Sequence, residues 1–276
     1  MSRFLALLSL AFTSLLMPMS SAAPAPITGY APVNGLRLYY EVHGGEQPGR
    51  PPLVLLHGGG DSIRTSFGAI LPELAKTRRV IAFEQQGYGR TADIAERPFT
   101  FEQSADDTAA LLEHLKIPQA DFFGFSNGGT IALQVAIRHP AKARRLVIAA
   151  GLFSRAGAPA GFWEFMKQAQ LENMPQELQD EYRSLAPQPE NLRLFHDKAA
   201  NRMRGFADIP VEKLRAIKSP ALVVVGDRDV VLPEHAAELS RIISGSQLAV
   251  LPGTDHGGLT KRVDWLGPMI GAFLGA

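Results

Sequence analysis

Apolar runs and amphipathic stretches alternate along most of the chain, and this pattern predicts strands and helices in turn. Short continuous apolar runs are typical of parallel strands that are buried on both faces of a sheet. Such runs occupy residues 52–56, 80–84, 121–125, 146–150, 221–225 and 248–251. Apolar residues at helical spacing occur at residues 66–76, 101–115, 128–138, 233–243 and 263–273. The alternation predicts a doubly wound, mostly parallel α/β sheet.

Two stretches depart from this alternation. Residues 30–33 and 36–42 are β-prone and flank Asn34-Gly35, a residue pair that favours a tight hairpin turn. Residues 152–212 have helical patterning with many large apolar side chains and show no strand pattern. We therefore predict a helical cap (residues 152–212) inserted after the sixth strand. The predicted α/β core comprises residues 29–151 and 213–276.

The N-terminal pattern is that of an export signal. Arg3 precedes an apolar run at residues 4–17, which is followed by small residues up to Ala22. This succession is typical of a signal peptide (residues 1–22) that is cleaved after Ala22. The run is shorter than the roughly 20 residues that a spanning helix needs, and a retained membrane anchor is the alternative. We expect a linker at residues 23–28, no membrane span after cleavage, and a periplasmic or secreted protein.

Composition excludes several classes of function. The formal net charge is +1 and there is no basic block, so nothing predicts a nucleic-acid partner. Cysteine is absent, which excludes a thiol nucleophile, disulfides and Cys-ligated metals. Residues 87–92 match G-x-G-x-x-A, but a dinucleotide site needs a helix to begin there, and residues 91–100 have a loop pattern. We expect neither a cofactor nor a metal.

Ser126 is the candidate nucleophile. It occupies the centre of a G-x-S-x-G motif, between the predicted strand 121–125 and the predicted helix 128–138. A serine on a sharp strand-to-helix turn has a strained backbone, and the flanking glycines remove side chains that would clash. The alternative, a structural serine in a Gly-rich turn, does not require these two flanking elements.

A nucleophilic serine needs a base and an acid that orients the base. His256 lies in a loop just after the last predicted strand, and Asp229 follows the strand before it. Asp227 is the rival acid, which could instead bind turn amides, and Asp255 is a weaker rival because adjacent side chains diverge. We expect a structural role for His57. The remaining histidines are predicted to be mostly surface or capping residues: His43, His114, His139, His196 and His235.

An oxyanion hole is predicted from the Gly-rich run at residues 57–60, which follows the third strand. Its flexible backbone can direct N–H groups at a developing negative charge. The expected donors are the amides of Asn127 and Gly59, with Gly58 as the nearest alternative.

Five motifs, taken together, resemble the α/β-hydrolase superfamily. They are HGGG at 57–60, EQQGYGRT at 84–91, GFSNGG at 124–129, GDRD at 226–229 and GTDHG at 253–257. The chain looks most like the esterase, lactonase and proline-iminopeptidase-like group that carries a helical cap. In that group the acid usually occupies the fourth position of G-x-x-D, which supports Asp229. Related epoxide hydrolases and haloalkane dehalogenases have aspartate in place of Ser126.

The resemblance implies a serine hydrolase that cleaves a carboxylic ester or similar acyl bond of a small molecule through an acyl-enzyme. Phe125, Phe162 and Trp163 are the candidate substrate contacts, the alternative being that they pack the cap onto the core. A lactonase or carbon–carbon bond hydrolase can use the same triad. An aminopeptidase or amidase would need an acidic cap residue, for which Glu164, Glu172 and Glu177 are available. A non-catalytic binding protein on this fold is the alternative of a different class.

Overall fold

The computed structural model describes residues 25–275. The predicted signal peptide, residues 1–22, lies outside the described residues. The predicted linker (residues 23–28) is too long at its end, because strand β1 begins at Ile27, which pairs with Val42 of the next strand. Cross-strand pairing therefore extends the core by two residues toward the N-terminus.

Within residues 25–275, eight strands form one sheet in the order β1-β2-β4-β3-β5-β6-β7-β8. Strands β3 to β8 pair in parallel, and only the pairs β1–β2 and β2–β4 are antiparallel. The doubly wound α/β sheet is confirmed. The strands are β1 (Ile27–Val33), β2 (Leu36–His43), β3 (Leu53–Leu56), β4 (Val80–Phe83), β5 (Ala120–Phe125), β6 (Ala143–Ala149), β7 (Ala221–Arg228) and β8 (Gln247–Asp255).

The central strands are buried because helices cover both faces of the sheet. Every residue of β3, β4 and β5 is buried, as their uninterrupted apolar runs require. The helices outside the cap are α1 (Ile63–Phe67), α2 (Leu71–Ala75), α3 (Phe101–His114), α4 (Asn127–Arg138), α8 (Val211–Arg215), α9 (Pro233–Ile242) and α10 (Val263–Leu274).

The predicted hairpin turn has the backbone that its sequence favours. Asn34 and Gly35 have φ angles of 47° and 83°, the left-handed values that a two-residue turn between twisted strands needs. By contrast, the predicted single helix at residues 66–76 is wrong, since the segment forms α1 and α2. Helix α1 ends at Gly68, whose N–H donates to Arg64, and Pro72 stands in the first turn of α2. Proline is well suited to a helix start.

The cap consists of helices, as the pattern predicted. It contains α5 (Ala160–Lys167), α6 (Gln176–Leu185) and α7 (Leu192–Arg204), with short 3₁₀ turns between them. The predicted end of the cap at residue 212 divides helix α8, which packs against the core helices α4 and α9. None of the helices within the described range is long and apolar enough to cross a membrane.

Glu181 of the cap binds the core beside the Gly-rich loop. Its carboxylate accepts hydrogen bonds from the Ser62 hydroxyl and the Arg64 guanidinium, and it is buried. Ser62 also caps helix α1, because its oxygen accepts the N–H groups of Arg64 and Thr65. One cap carboxylate therefore holds both the cap and the helix that follows the loop.

Candidate active site

The backbone of Ser126 is strained, as the strand-to-helix turn requires. It lies between β5 and α4 with φ 55° and ψ −120°, and its N–H donates to the carbonyl oxygen of Ala149 at 2.8 Å. A Cβ at Gly124 would overlap the Gly128 carbonyl, and one at Gly128 would overlap the Leu56 carbonyl. The flanking glycines thus allow close backbone packing that presents the serine at the carboxyl end of the sheet.

His256 joins Ser126 to Asp229 through its two ring nitrogens. Nε2 lies 3.0 Å from the Ser126 Oγ, and Nδ1 lies 2.7 Å from an Asp229 Oδ1 whose side chain is fully buried. The same Oδ1 accepts the N–H of Val231 at 2.9 Å, which fixes the carboxylate. With the proton on Nδ1, the imidazole donates to Asp229 and accepts from the serine hydroxyl, which is the arrangement of a base and its orienting acid.

The two rival aspartates are engaged elsewhere. Asp227 Oδ1 accepts the N–H of Thr254 at 3.0 Å, and backbone hydrogen bonds from Gly253 and Thr254 lower the pKa of this carboxyl. Asp255 Oδ1 accepts the N–H of Gly258 at 2.7 Å. Asp227 therefore binds backbone amides of β8 and Asp255 binds one in the turn that follows, and neither carboxylate contacts His256.

Of the two loop amides predicted as oxyanion donors, Gly58 and Gly59, only that of Gly59 is free within the described part of the chain. The N–H of Gly58 donates to the Ser66 hydroxyl at 3.0 Å, so this alternative donor is already used. Gly59 and Asn127 both line the cavity that contains Ser126. Among the described residues, no acceptor takes the N–H of Gly59 or of Asn127. These two amides are therefore free to bind an oxyanion.

Asp61 holds the Gly-rich loop in place, a role that the sequence reasoning missed. Its carboxylate accepts hydrogen bonds from Thr65 and Ser66, both at 2.9 Å, and Ser66 in turn accepts from Gly58. Burial raises the pKa of Asp61, and the hydrogen bonds from Thr65 and Ser66 oppose that rise. The signal for this residue was an acidic side chain directly after HGGG.

A cavity of about 370 Å³ opens above Ser126, between the cap and the carboxyl ends of the strands. We call it the cap–core cavity. Within the described residues its lining contains no Asp, Glu, Lys or Arg. Large apolar side chains dominate the lining, mostly from the cap: Leu152, Phe162, Phe165, Met166, Met174, Leu178, Phe195, Met203 and Val231.

Only one of the three predicted aromatic contacts lines this cavity. Phe162 does so, but Trp163 is buried beside it, with its Nε1 donating to the Arg155 carbonyl at 2.7 Å. Phe125 is also buried, with its ring centroid 5.0 Å from that of His256. Trp163 does not line the cavity because adjacent helical side chains point about 100° apart, so only one of the pair faces it.

Three histidines that the pattern placed outside the catalytic group are buried. His57 Nε2 accepts the N–H of Gln85 at 3.1 Å, which agrees with the predicted structural role. His235 Nε2 accepts the N–H of Phe153 at 3.1 Å, and the two rings stack. His196 lines the cap–core cavity from helix α7. The expectation of surface positions was therefore wrong for His196 and His235, because α7 and α9 turn these residues inward.

We expect the free energy of unfolding to fall as the pH drops from about 6.5 to about 4, because burial lowers the pKa of His57 and of His235 to about 4. Between these pH values the two imidazoles take up protons in the unfolded chain but not in the folded chain. Their stabilising contribution is therefore fully present above the ordinary histidine pKa of 6.5, and it is lost as the pH falls toward the folded-state pKa of about 4. Each imidazole should lower the free energy of unfolding by about 2 kcal/mol as the pH falls from 7 to 5.

Urea unfolding at pH 7 and pH 5 measures this loss. His235→Gln keeps an acceptor for the Phe153 N–H. Between pH 7 and pH 5 this variant should lose about 2 kcal/mol less unfolding free energy than the wild type. His114→Gln, at an exposed position, is the control. Equal losses in the wild type and His235→Gln would show that this imidazole does not contribute.

The parallel sheet, the strained serine turn and the polar groups at the strand ends define the α/β-hydrolase class. The chain belongs to the α/β hydrolase fold family, whose model matches residues 51–201. It is accordingly a hydrolase.

Characterised relatives and solved structures cover most of the chain. It is 31% identical to 2-hydroxymuconate semialdehyde hydrolase of Pseudomonas sp. strain CF600, over 81% of this chain and 86% of the relative. It is also 31% identical to pimeloyl-[acyl-carrier protein] methyl ester esterase of Neisseria meningitidis, over 74% and 86% respectively. The enol-lactonase of Burkholderia xenovorans LB400 superposes with a TM-score of 0.71 at 25% identity, covering 90% of this chain and all of that one.

Proposed function

We propose that this protein is an exported serine hydrolase that cleaves neutral carboxylic esters, with Ser126 as nucleophile, His256 as base and Asp229 as the orienting acid. One observation carries the proposal. The hydrogen-bonded line from Asp229 through His256 to Ser126 ends at the floor of an apolar cavity that has no charged residue in its described lining. A nucleophile with its base and a binding cavity for the acyl group are the parts that acyl transfer requires.

The proposed reaction has two halves. His256 Nε2 accepts the proton of the Ser126 hydroxyl as Oγ attacks the ester carbonyl carbon, and Asp229 stabilises the imidazolium that forms. Collapse of the tetrahedral intermediate breaks the bond to the alkoxy group, which leaves with the proton from His256. A water molecule then gives a proton to His256 and attacks the acyl-enzyme. Release of the carboxylic acid returns the proton to Ser126.

The backbone amides of Gly59 and Asn127 are the proposed oxyanion donors. Because they are held before the reaction begins, they stabilise the charge of the tetrahedral intermediate without reorganising. Each such donor typically contributes about 3–4 kcal/mol to the transition state. Asp61 and Ser66 act indirectly, since they hold the loop that carries Gly59.

The cavity lining supports a neutral acyl substrate over an aminopeptidase substrate. A substrate ammonium group needs a carboxylate, since an unpaired charge in an apolar site is costly. The three glutamates considered for this role are exposed and do not line the cavity: Glu164, Glu172 and Glu177. The similarity to a methyl ester esterase also supports a carboxylic ester as the substrate.

A lactone is the second candidate substrate. A lactone is an internal ester, so the same three residues would open it, and the acyl and alcohol parts would stay joined as one product. The likeness to a solved enol-lactonase favours this candidate. The two candidates differ in the space that the alcohol portion needs beside Ser126.

A substrate panel tests the proposal. We expect turnover of p-nitrophenyl esters from acetate to decanoate, with an optimum that measures how much acyl chain the cap–core cavity holds. Aminoacyl p-nitroanilides are expected to be inert, and γ- and δ-lactones serve as the second candidate. Faster turnover of the anilides than of the esters would contradict the neutral ester, and no turnover of all three classes would favour a non-catalytic binding protein.

Export is proposed from the sequence of residues 1–22. Its positive start, apolar run and small residues before the cut predict a mature chain that begins at Ala23. The mass of the chain recovered from a periplasmic extract or culture medium measures this. A chain that retains residues 1–22 and sediments with membranes would indicate an anchor instead.

A further inference from the structure

A second cavity, of about 300 Å³, lies between cap helix α7 and the start of core helix α3. We call it the Arg202 cavity. Thr130 lines both this cavity and the cap–core cavity, and its hydroxyl donates to the Leu152 carbonyl at 2.7 Å. The proposed mechanism uses none of the groups that line the Arg202 cavity.

Arg202 is a buried cation without a counter-ion. Its side chain lines the cavity and is 6% exposed. Within residues 25–275 its one hydrogen bond is a long one, from Nη1 to Gln85 Oε1 at 3.3 Å, and its buried Nε has no acceptor. No carboxylate of the described chain lies within ion-pair distance of it. Buried charges are normally paired, so an anion from outside the chain would supply the counter-ion that this guanidinium lacks.

The surroundings of Arg202 compensate its charge only in part. The rings of Tyr88, Phe99 and Phe101 lie 5.3–5.7 Å from its guanidinium carbon and provide cation–π contacts. The neighbouring Lys198 is different, because both oxygens of Asp93 accept from its Nζ. Of these two cations in the cavity lining, Arg202 is therefore the one without a carboxylate partner among the described residues.

The start of helix α3 adds a second attraction for an anion. Helix α3 has fourteen residues, and Thr100, Phe101 and Glu102 at its N-terminus line the cavity. The Thr100 hydroxyl already accepts the N–H of Gln103. Among the described residues, the N–H groups of Phe101 and Glu102 have no acceptor. Free amides at the positive end of a helix favour a bound anion.

The remaining walls favour an anion that has an apolar body. Phe99, Phe206 and Ile209 line the cavity and are buried. A guanidinium matches the two oxygens of a carboxylate, whereas these apolar walls would strip water from phosphate without replacing it. We propose that the Arg202 cavity binds an organic carboxylate, with its oxygens on Arg202 and its apolar part against these three side chains. This inference does not depend on the proposed function.

The negative charge of Glu102 allows a second test of carboxylate binding in the Arg202 cavity. Glu102 is the one acidic residue in the described lining; it is exposed, and its Oε1 accepts from Gln134 Nε2 at a long 3.4 Å. Its negative charge opposes a bound carboxylate. Removing that charge should strengthen binding, whereas removing the charge of Arg202 should weaken it.

Calorimetric titration with sodium benzoate, benzamide and inorganic phosphate tests the proposal at constant ionic strength. Benzoate should bind saturably to the full chain. Benzamide, the neutral analogue, reports binding to apolar surface alone and should be much weaker, as should phosphate. Arg202→Gln should weaken benzoate binding about tenfold or more, because a charge-assisted hydrogen-bond pair is lost. Glu102→Gln should bind benzoate more tightly than the wild type.

Arg193→Gln is the matched control, since Arg193 lies on the same helix but pairs with Glu172 at the surface. It should bind benzoate like the wild type. If Arg202→Gln fails to fold, Arg202→Lys keeps the charge without the guanidinium fork and should bind more weakly. Equal affinity for benzoate and benzamide, tighter binding of phosphate, or unchanged benzoate binding by Arg202→Gln would each overturn the proposal.

Discussion

Ser126→Ala is expected to lower kcat for ester hydrolysis by about 10⁴-fold or more. The hydroxyl is the proposed nucleophile and the proton donor to His256, which lies 3.0 Å away. Without it, no acyl-enzyme forms, and any remaining turnover depends on water attacking a substrate held by the oxyanion donors. Alanine meets the same backbone constraint at φ 55° as serine, so the variant should keep its fold.

Initial rates on the best p-nitrophenyl ester, together with the melting temperature, measure this effect. Ser240→Ala is a matched control, because that hydroxyl donates to the Ala237 carbonyl on helix α9 and lies outside the cap–core cavity. It should retain wild-type kcat. Equal activity of Ser126→Ala and the wild type would exclude Ser126 as the nucleophile and with it the proposed mechanism.

Asp229→Asn is expected to lower kcat by about 10⁴-fold while leaving KM much less affected. The carboxylate accepts from His256 Nδ1 at 2.7 Å, so it selects the tautomer whose Nε2 is free to take the serine proton. An amide donates where the carboxylate accepts, and it favours the other tautomer. The fully buried side chain keeps its place, because asparagine has the same shape.

Asp227→Asn is the matched control for this variant, since it makes the same chemical change two residues away. Its carboxylate binds the Thr254 N–H rather than His256, and asparagine offers an oxygen to the same donor. We expect a kcat within about twofold of the wild type, as for surface substitutions outside the site. A larger loss of kcat in Asp227→Asn than in Asp229→Asn would reverse the assignment of the acid.

Under the proposed function, we expect the uncharged lining of the cap–core cavity to distinguish substrates by charge as well as by size. An ester with an ionised or amino-bearing acyl chain would lose water on entering and gain no partner from the described lining. Carboxylate products meet the same penalty, which favours their release. By contrast, the lining of the Arg202 cavity includes Arg202, Lys198 and Glu102, although Thr130 lines both cavities.

The fold was largely predictable because its signals are local. The apolar runs of β3, β4 and β5 identify buried strands, and Asn34-Gly35 identifies the hairpin that opens the sheet. Helix boundaries were less predictable. The segment at residues 66–76 has a continuous helical pattern, and the spacing of its apolar residues does not show the break between α1 and α2.

The cap was harder to predict than the core, because the pattern of a helix does not tell which neighbour each face meets. Phe162 and Trp163 are adjacent large aromatics, yet one lines the cavity and the other packs against Arg155 and Phe206. His196 has no motif around it and reaches the cavity only because helix α7 crosses above the strand ends. Single buried polar residues of this kind carry little sequence signal.

The sequence by itself determined the order of the strands and helices and the positions of Ser126, Asp229 and His256 after three strands. These features follow from local periodicity and from turns in which the required glycines lie within a few residues of one another. Tertiary structure alone decided that Gly58 is used by Ser66, that Asp61 supports the loop, and that Arg202 stays unpaired within the described chain. The first two features depend on the path of the loop from β3 to α1, and the third depends on how helix α7 packs against the core; the residue pattern contains neither.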